Sequence, residues 1–212
     1  KLSKELGVNE IIAQLLVHRG ITTYDKAKKF FRPQISDLHD PFLLKDMHEA
    51  VERIELALKK GEKILIYGDY DVDGTTSVAM MYNFLNRFTK NIGYYIPDRY
   101  KEGYGISFKG IDYAQLEEFS LIIALDCGIR AVKQVEYASN KDIDFIICDH
   151  HKPGVNVPRA ISVLNPKQID CKYPYKELSG CGVGFKLIQA ICKTKNIDFS
   201  EIGEYLDLLA VS

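Results

Sequence analysis

Hydrophobic positions fall into two rhythms along this chain. Residues 64–67, 121–125 and 143–148 are short, nearly unbroken apolar runs of strand length, the pattern of strands covered on both faces. Residues 92–96 predict a further strand. Between the runs, apolar residues recur at helical spacing: Val78, Met81, Leu85 and Phe88 within 75–88, then residues 107–119 and 131–139. Strand and helix in alternation predict an α/β fold, with a mostly parallel sheet flanked by helices and right-handed crossovers.

The flanks read differently. Residues 2–31 predict two short helices, with Leu6, Ile11, Ile12, Leu15 and Leu16 as an apolar stripe and Thr22 or Thr23 capping the second. Two prolines mark 32–41 as a linker. A third helix is expected with Asp46 as its cap, Val51, Ile54, Ala57 and Leu58 on its apolar side, and Gly61 closing it. Downstream, an irregular stretch reaches Leu178, a glycine turn follows, and helices are expected over 183–193 and near Tyr205. The organisation predicted is a small N-terminal helical lead-in over 1–45 and an α/β domain over 46–212.

Composition narrows the class. At 46% hydrophobic and 27% charged, the chain suits a globular core and excludes a disordered chain or a coiled-coil rod. Lys+Arg 28 against Asp+Glu 29 leaves a net charge of -1, so a nucleic-acid binder of this composition must segregate its charges locally. No apolar run approaches the roughly 18 residues of a membrane span, and the charged start lacks a signal peptide's apolar core. Five cysteines without a C-x-x-C pair fit a reduced, cytoplasmic setting better than a disulfide framework or a zinc ribbon. Lysine at position 1 fits a trimmed chain.

The chemistry gathers where the apolar runs end. Three of them lead directly into an aspartate: Asp69, Asp126 and Asp149. In a parallel sheet these ends share one edge, so carboxylates distant in sequence converge where ligands bind. The first end continues as Asp69-Tyr70-Asp71-Val72-Asp73-Gly74. If that segment is extended, its three acids point one way, an arrangement that calls for a cation. An EF-hand fits poorly, because the bidentate glutamate expected later in that loop is missing. The third end adds His150 and His151. Carboxylates with imidazoles and no thiolate suit Mn²⁺ or Mg²⁺, and Zn²⁺ less well. Several acids at one site suggest two ions, as in phosphoryl transfer. Cys127 and Cys148 beside them read as small buried hydrophobes.

DYDVDG at 69–74, ALDCGI at 124–129, DHHKPG at 149–154 and SGCGVGFKL at 179–187 resemble, in order and setting, the DHH phosphoesterase superfamily. Within it the chain resembles the RecJ family of single-strand-specific exonucleases, which degrade DNA from the 5′ end in repair and recombination. PDRYKEGYG at 97–105 and the helical lead-in carry that narrower likeness. The resemblance implies Asp71, Asp73, Asp126, Asp149 and His150 as metal ligands, with Asp69 in the same motif named second to them. It implies Mn²⁺ preferred and Mg²⁺ tolerated, water activated by metal as nucleophile, and His151 at the scissile phosphate, with Asp149 and Asp71 beside the reaction. It also implies a further metal-binding aspartate and a second core domain beyond LDLLAVS. Single-stranded DNA is the expected substrate and a single-strand-binding protein a collaborator, with no membrane partner. The alternatives are a small-nucleotide phosphatase of the same superfamily and a non-catalytic replication-helicase scaffold. A receiver-type signalling domain would not need the two histidines.

Two stretches are secondary. Arg99, Lys101 and Lys109 flank Tyr100 and Tyr104 and could track phosphate and stack bases. The resemblance singles out Arg99, Tyr104 and Gly105. Ser179, Gly180 and Gly182 precede a helix and could offer backbone amides to a phosphate, although their spacing is not the GxGxxG fingerprint.

Overall fold

The computed structural model describes residues 1–212, apart from the side chain of Phe199. It divides into two compact units, Lys1–Asp40 and Pro41–Ser212.

The first unit holds three helices where the pattern predicts two: α1 (Leu2–Leu6), α2 (Glu10–His18) and α3 (Tyr24–Phe31). Gly7, at φ 64, ends the first after five residues. Asn9 caps the second by accepting from the Ile11 amide, and Thr23 caps the third by accepting from Lys26. The core is Leu2, Ala13, Leu16, Ile21 and Ala27. Of the α2 stripe, Leu16 is buried whereas Ile11 and Leu15 are exposed, because the buried face centres on Ala13.

In the second unit, α4 (Met47–Lys60) closes on Gly61 at φ 68. Asp46 precedes it, yet its side chain makes no capping bond. Its Oδ2 accepts from the Val163 amide at 3.2 Å and its carbonyl from the Ser162 hydroxyl at 2.8 Å, which ties the helix entrance to a sheet edge. The sheet has five strands in the order β2-β1-β3-β4-β5: β1 (Ile64–Gly68), β2 (Ile92–Tyr95), β3 (Leu121–Leu125), β4 (Asp144–Cys148) and β5 (Ser162–Leu164). All the pairings are parallel. Beyond the pattern's prediction is β5, too short to register between Pro158 and Pro166.

Helices cover both faces, which is why β1 and β3 are buried at every position. On one side α4, α5 (Val72–Leu85) and α8 (Gly180–Lys195) pack on Ile64, Ile66, Ile123 and Ile146. On the other, α6 (Phe108–Leu116) and α7 (Val132–Ser139) pack on Leu65, Tyr67, Ile122 and Phe145. Short 3₁₀ turns lead into α9 (Leu206–Val211). Among the described residues no helix is long and apolar enough to cross a membrane.

One ion network holds the sheet's lower end. Arg53 Nη2 lies 2.6 Å from Glu62 and Nε 2.6 Å from Asp144, with the guanidinium side chain only 11% exposed. Arg53→Met leaves two half-buried acids without their counter-charge, so an unfolding free energy lower by about 2 kcal/mol is expected in urea titration. Adding Glu62→Gln should recover part of that loss; no recovery would mean the pair is not coupled.

Candidate metal centre

The chain runs from β1 out to β2 and returns past β1 to β3, so strand order reverses between β1 and β3. Crevices at such switch points are where open α/β sheets bind ligands. Register does the rest. Gly68 lies opposite Leu125, and Leu125 opposite Cys148, so Asp69, Asp126 and Asp149 leave their strands at one level. All three are buried, at 0%, 1% and 1% exposure. Asp126 turns off β3 at φ 59, a left-handed conformation that aspartate tolerates better than most residues. The first residue of α8 closes over it: a Cβ on Gly180 would stand 2.4 Å from Asp126 Oδ1.

The aspartates of the first motif do not lie on an extended segment. Helix α5 begins at Val72, three residues before the predicted start. Asp71 is its N-cap, accepting from the Gly74 amide at 2.9 Å, and remains exposed. Asp73 lies in the first turn, where Oδ2 and Oδ1 each accept a 2.7 Å bond, from the Gly180 and Cys181 amides. Asp69 accepts from the Gly105 amide at 3.2 Å through Oδ1.

The Asp149 carboxylate orders the histidine pair. Its Oδ1 accepts from the amides of His150 (2.7 Å) and His151 (3.0 Å) and lies 2.8 Å from His151 Nδ1. Its Oδ2 accepts from the Ile129 amide at 2.8 Å and keeps a second acceptor position. His150 Nε2 reaches back to within 3.2 Å of Asp126 Oδ1 and 3.6 Å of Asp73 Oδ2. The 3.2 Å approach lacks hydrogen-bond alignment, so Asp126 Oδ1 has no hydrogen-bond partner among the described residues. His151 Nε2 lies 3.1 Å from the Tyr104 hydroxyl, which also donates to the Asp126 carbonyl at 3.2 Å. The Asn165 side chain, at the end of β5, holds the His151 carbonyl at 2.9 Å.

This donor set fits a divalent cation. Asp126, His150 and His151 each offer a ligand atom within 4.8 Å of the others. Two buried carboxylate oxygens, Asp69 Oδ2 and Asp126 Oδ1, have no donor, a costly state that a cation relieves. Burial pushes the neighbouring Cys127 and Cys148 thiols far up, so neither offers a thiolate. Carboxylate with imidazole and no thiolate suits a hard or borderline divalent ion.

The electrostatics agree. Burial, then the charges of Asp73 and Asp71, push Asp126 up to about 6, and burial also raises Asp69. Asp126 raises His150, and Asp149 raises His151. Burial acts upward on Asp149 too, but the His151 ring and the His151 and Ile129 amides outweigh it and hold it below its ordinary value. Groups raised on folding bind protons more tightly in the native state, so they favour folding at low pH and lose that contribution as pH rises through their folded values. Metal-free protein is therefore expected to melt about 5 °C higher at pH 5 than at pH 8. A calorimetric profile rising toward pH 8 without metal would contradict this; Asp149 opposes the trend only below the ordinary carboxylate range.

The secondary residues divide. The Arg99 guanidinium lies 5.4 Å from the centre of the Tyr70 ring, and Tyr70 meets Tyr104 edge-on at 6.3 Å. They form an exposed aromatic and basic path leading to His151. Gly105, at φ 83, sits where that loop turns into the crevice. Ser179 caps α8 through the Gly182 amide, while the Gly180 and Cys181 amides hold Asp73. These amides therefore anchor an acid and do not face an open phosphate site. Sequence reasoning missed the Ile129 amide, Asn165 and the contact between Tyr104 and His151. None of the three had a usable signal: Asn165 follows β5 at the level of Asp149, but β5 itself is too short to register in the sequence.

Residues 63–212 match the DHH family, N-terminal domain. The chain is 42% identical over 211 residues to the single-stranded-DNA-specific exonuclease RecJ of Bacillus subtilis (strain 168), covering 98% of this chain and 27% of that protein. It is 35% identical over 178 residues to RecJ of Escherichia coli (strain K12), covering 79% and 31%. A crystal structure of exonuclease RecJ bound to manganese superposes with a TM-score of 0.71 at 30% identity, over 79% of this chain and 42% of that one. RecJ from Thermus thermophilus in complex with Mn²⁺ gives 0.73 at 27% identity, over 92% and 26%. The chain spans about a third or less of the length of these two curated relatives.

Proposed function

We propose, from the premise that this chain belongs to the DHH family and holds its N-terminal domain, that it carries a divalent-metal phosphodiesterase centre cutting single-stranded DNA from the 5′ end. The observation that carries this is the Asp126, His150 and His151 group, set beside two carboxylate oxygens without donors. The chain is homologous to RecJ, and the relatives' names supply the substrate class. Mn²⁺, with Mg²⁺ as substitute, is the proposed cofactor, as two ions. A reducing cytoplasm is the proposed setting, in keeping with five buried cysteines, all free. A single-strand-binding protein is the proposed collaborator.

Asp126 and His150 would hold metal, joined by Asp69, Asp71 and Asp73 around the crevice and by Asp149 through its remaining acceptor position. Metal bound there would activate water and neutralise a phosphoryl oxygen. The remaining steps fall to side chains. Asp149 accepts from His151 Nδ1–H, fixes the ring and favours its doubly protonated form, so the Nε2–H of that imidazolium can donate to an oxygen on which charge accumulates. Tyr104 holds that nitrogen's position until substrate arrives. Arg99 and the Tyr70 and Tyr104 rings suit a strand with unpaired bases, since a stacking platform needs free base faces.

The test is Mn²⁺ with 5′-labelled, 5′-phosphorylated strands, single or as a blunt duplex. Labelled mononucleotides should appear from the single strand at least about 100-fold faster, a difference of about 2.7 kcal/mol in activation free energy. Equal loss of duplex would overturn the strand preference. Phosphate released from mononucleotides with no cleavage of strands would favour a phosphatase.

A further inference from the structure

Beside the metal centre lies a cleft of about 490 Å³ that shares Tyr104, Asp149 and His151 with the site above and continues past them to Arg130, Gln134 and Lys152. Its volume is within the range of small-ligand sites. Ile106 and Ile129, at 5% and 2% exposure, give it an apolar floor. Arg130, Gln134 and Lys152 rim it, and His151 forms the wall toward the metal ligands. The acid in the lining is Asp149, buried and engaged by amides and by His151. The cleft's accessible charge is therefore positive, beside a cluster rich in carboxylates.

Arg130 Nε donates to the Lys152 carbonyl at 2.9 Å, and its stem passes 3.8 Å from where a Gly154 Cβ would stand. The arm is pinned at Nε, and no hydrogen bond engages its two terminal nitrogens among the described residues. No carboxylate pairs with Arg130 or Lys152 among the described residues. An exposed cation with neither acid nor aromatic partner, fixed at the mouth of a half-apolar cleft, matches an anion attached to a flat or apolar body.

We propose that this cleft seats the nucleotide next to the bond being cut, with Arg130 and Lys152 on its phosphate and Ile106 and Ile129 against its sugar or base. The proposal rests on the single-strand reading above and extends the strand's place from His151 to Arg130 and Lys152. It makes Arg130 and Lys152 residues of strand binding, joined to the path through Arg99 at Tyr104, which lines the same cleft.

The test is binding of a labelled decathymidylate to the whole chain in EDTA, where no metal bridges protein to phosphate, followed across a salt series. The wild-type chain should bind with a steep salt dependence. Arg130→Gln with Lys152→Gln should weaken binding at low salt about tenfold or more and flatten the slope of log K against log salt by about 1.4, two contacts at about 0.7 each. Lys59→Gln with Lys60→Gln, exposed at the opposite end of the sheet, removes the same charge and should leave the slope within about 0.3 of wild type. If the Arg130 change disturbs the loop, Lys152→Gln alone should flatten the slope by about 0.7. Slopes equal to the Lys59 and Lys60 control, with wild-type binding intact, would overturn the subsite alone. Failure of the wild-type chain to bind the strand at any salt would overturn both the subsite and the reading beneath it.

Discussion

Asp126→Ala is expected to lower Mn²⁺-dependent cleavage of single-stranded DNA by at least about 10³-fold, some 4 kcal/mol of transition-state stabilisation. The same change should raise the melting temperature of the metal-free protein at pH 8 by about 3 °C. The two effects share one cause. Asp126 is held at 1% exposure, with one oxygen lacking a donor and the charges of Asp73 and Asp71 nearby. A side chain kept ionised there at pH 8 opposes folding by about 3 kcal/mol, and the small void left by alanine offsets only part of the gain from removing it. The variant should also lose much of its preference for pH 5 over pH 8. Paired measurements of initial rate and metal-free melting check this directly. A lower melting temperature with activity retained would make Asp126 a structural anchor and remove it from the metal site.

The largest loss of stability is expected at two glycines that bring the motifs into contact. A Cβ on Gly74 would lie 2.4 Å from the Asp69 carbonyl oxygen and 2.7 Å from that residue's backbone carbon and nitrogen. No rotamer change relieves a clash with backbone, so α5 must withdraw from the end of β1. A Cβ on Gly180 would meet Asp126 at 2.5 Å from its own Cβ and 2.7 Å from its Cα. Each alanine should cost about 3 kcal/mol or more in urea unfolding, with recovery of soluble protein falling accordingly. Gly184→Ala is the comparison within α8. Its Cβ meets side-chain ends at 3.1 Å (Leu125) and 3.4 Å (Met80), so a change under about 1.5 kcal/mol is expected. If Gly74→Ala and Gly180→Ala were as mild as Gly184→Ala, the close approach of α5 and α8 to the acids would be wrong.

The contrast between these glycines and the acids shows what the sequence could convey. Buried parallel strands are apolar throughout, and their register aligns their ends. Three runs finishing in Asp69, Asp126 and Asp149 therefore announce a shared edge, and the structure puts them at one level. The local chemistry after those ends was less legible. In DYDVDG the polar residues conceal the helix start, so α5 opens at Val72, Asp71 becomes its cap, and Asp73 is held by amides 107 and 108 residues away. The same distant pairing removed the Ser179–Gly182 turn from phosphate binding. Asp46 has the residue type of a cap and serves β5 instead. The Tyr104 hydroxyl meets His151 across 47 residues of chain, a contact that no spacing rule encodes.

The proposed centre puts a divalent cation at the switch point between β1 and β3, held by Asp126 and His150. Crystals of the chain grown with Mn²⁺ and measured at the manganese absorption edge test it most directly, because anomalous scattering marks the ion independently of any assay. A manganese peak within bonding distance of Asp126 Oδ1 and His150 Nε2 is expected, and its disappearance in Asp126→Ala. Manganese found only elsewhere on the protein, or a peak that persists in the variant, would contradict it.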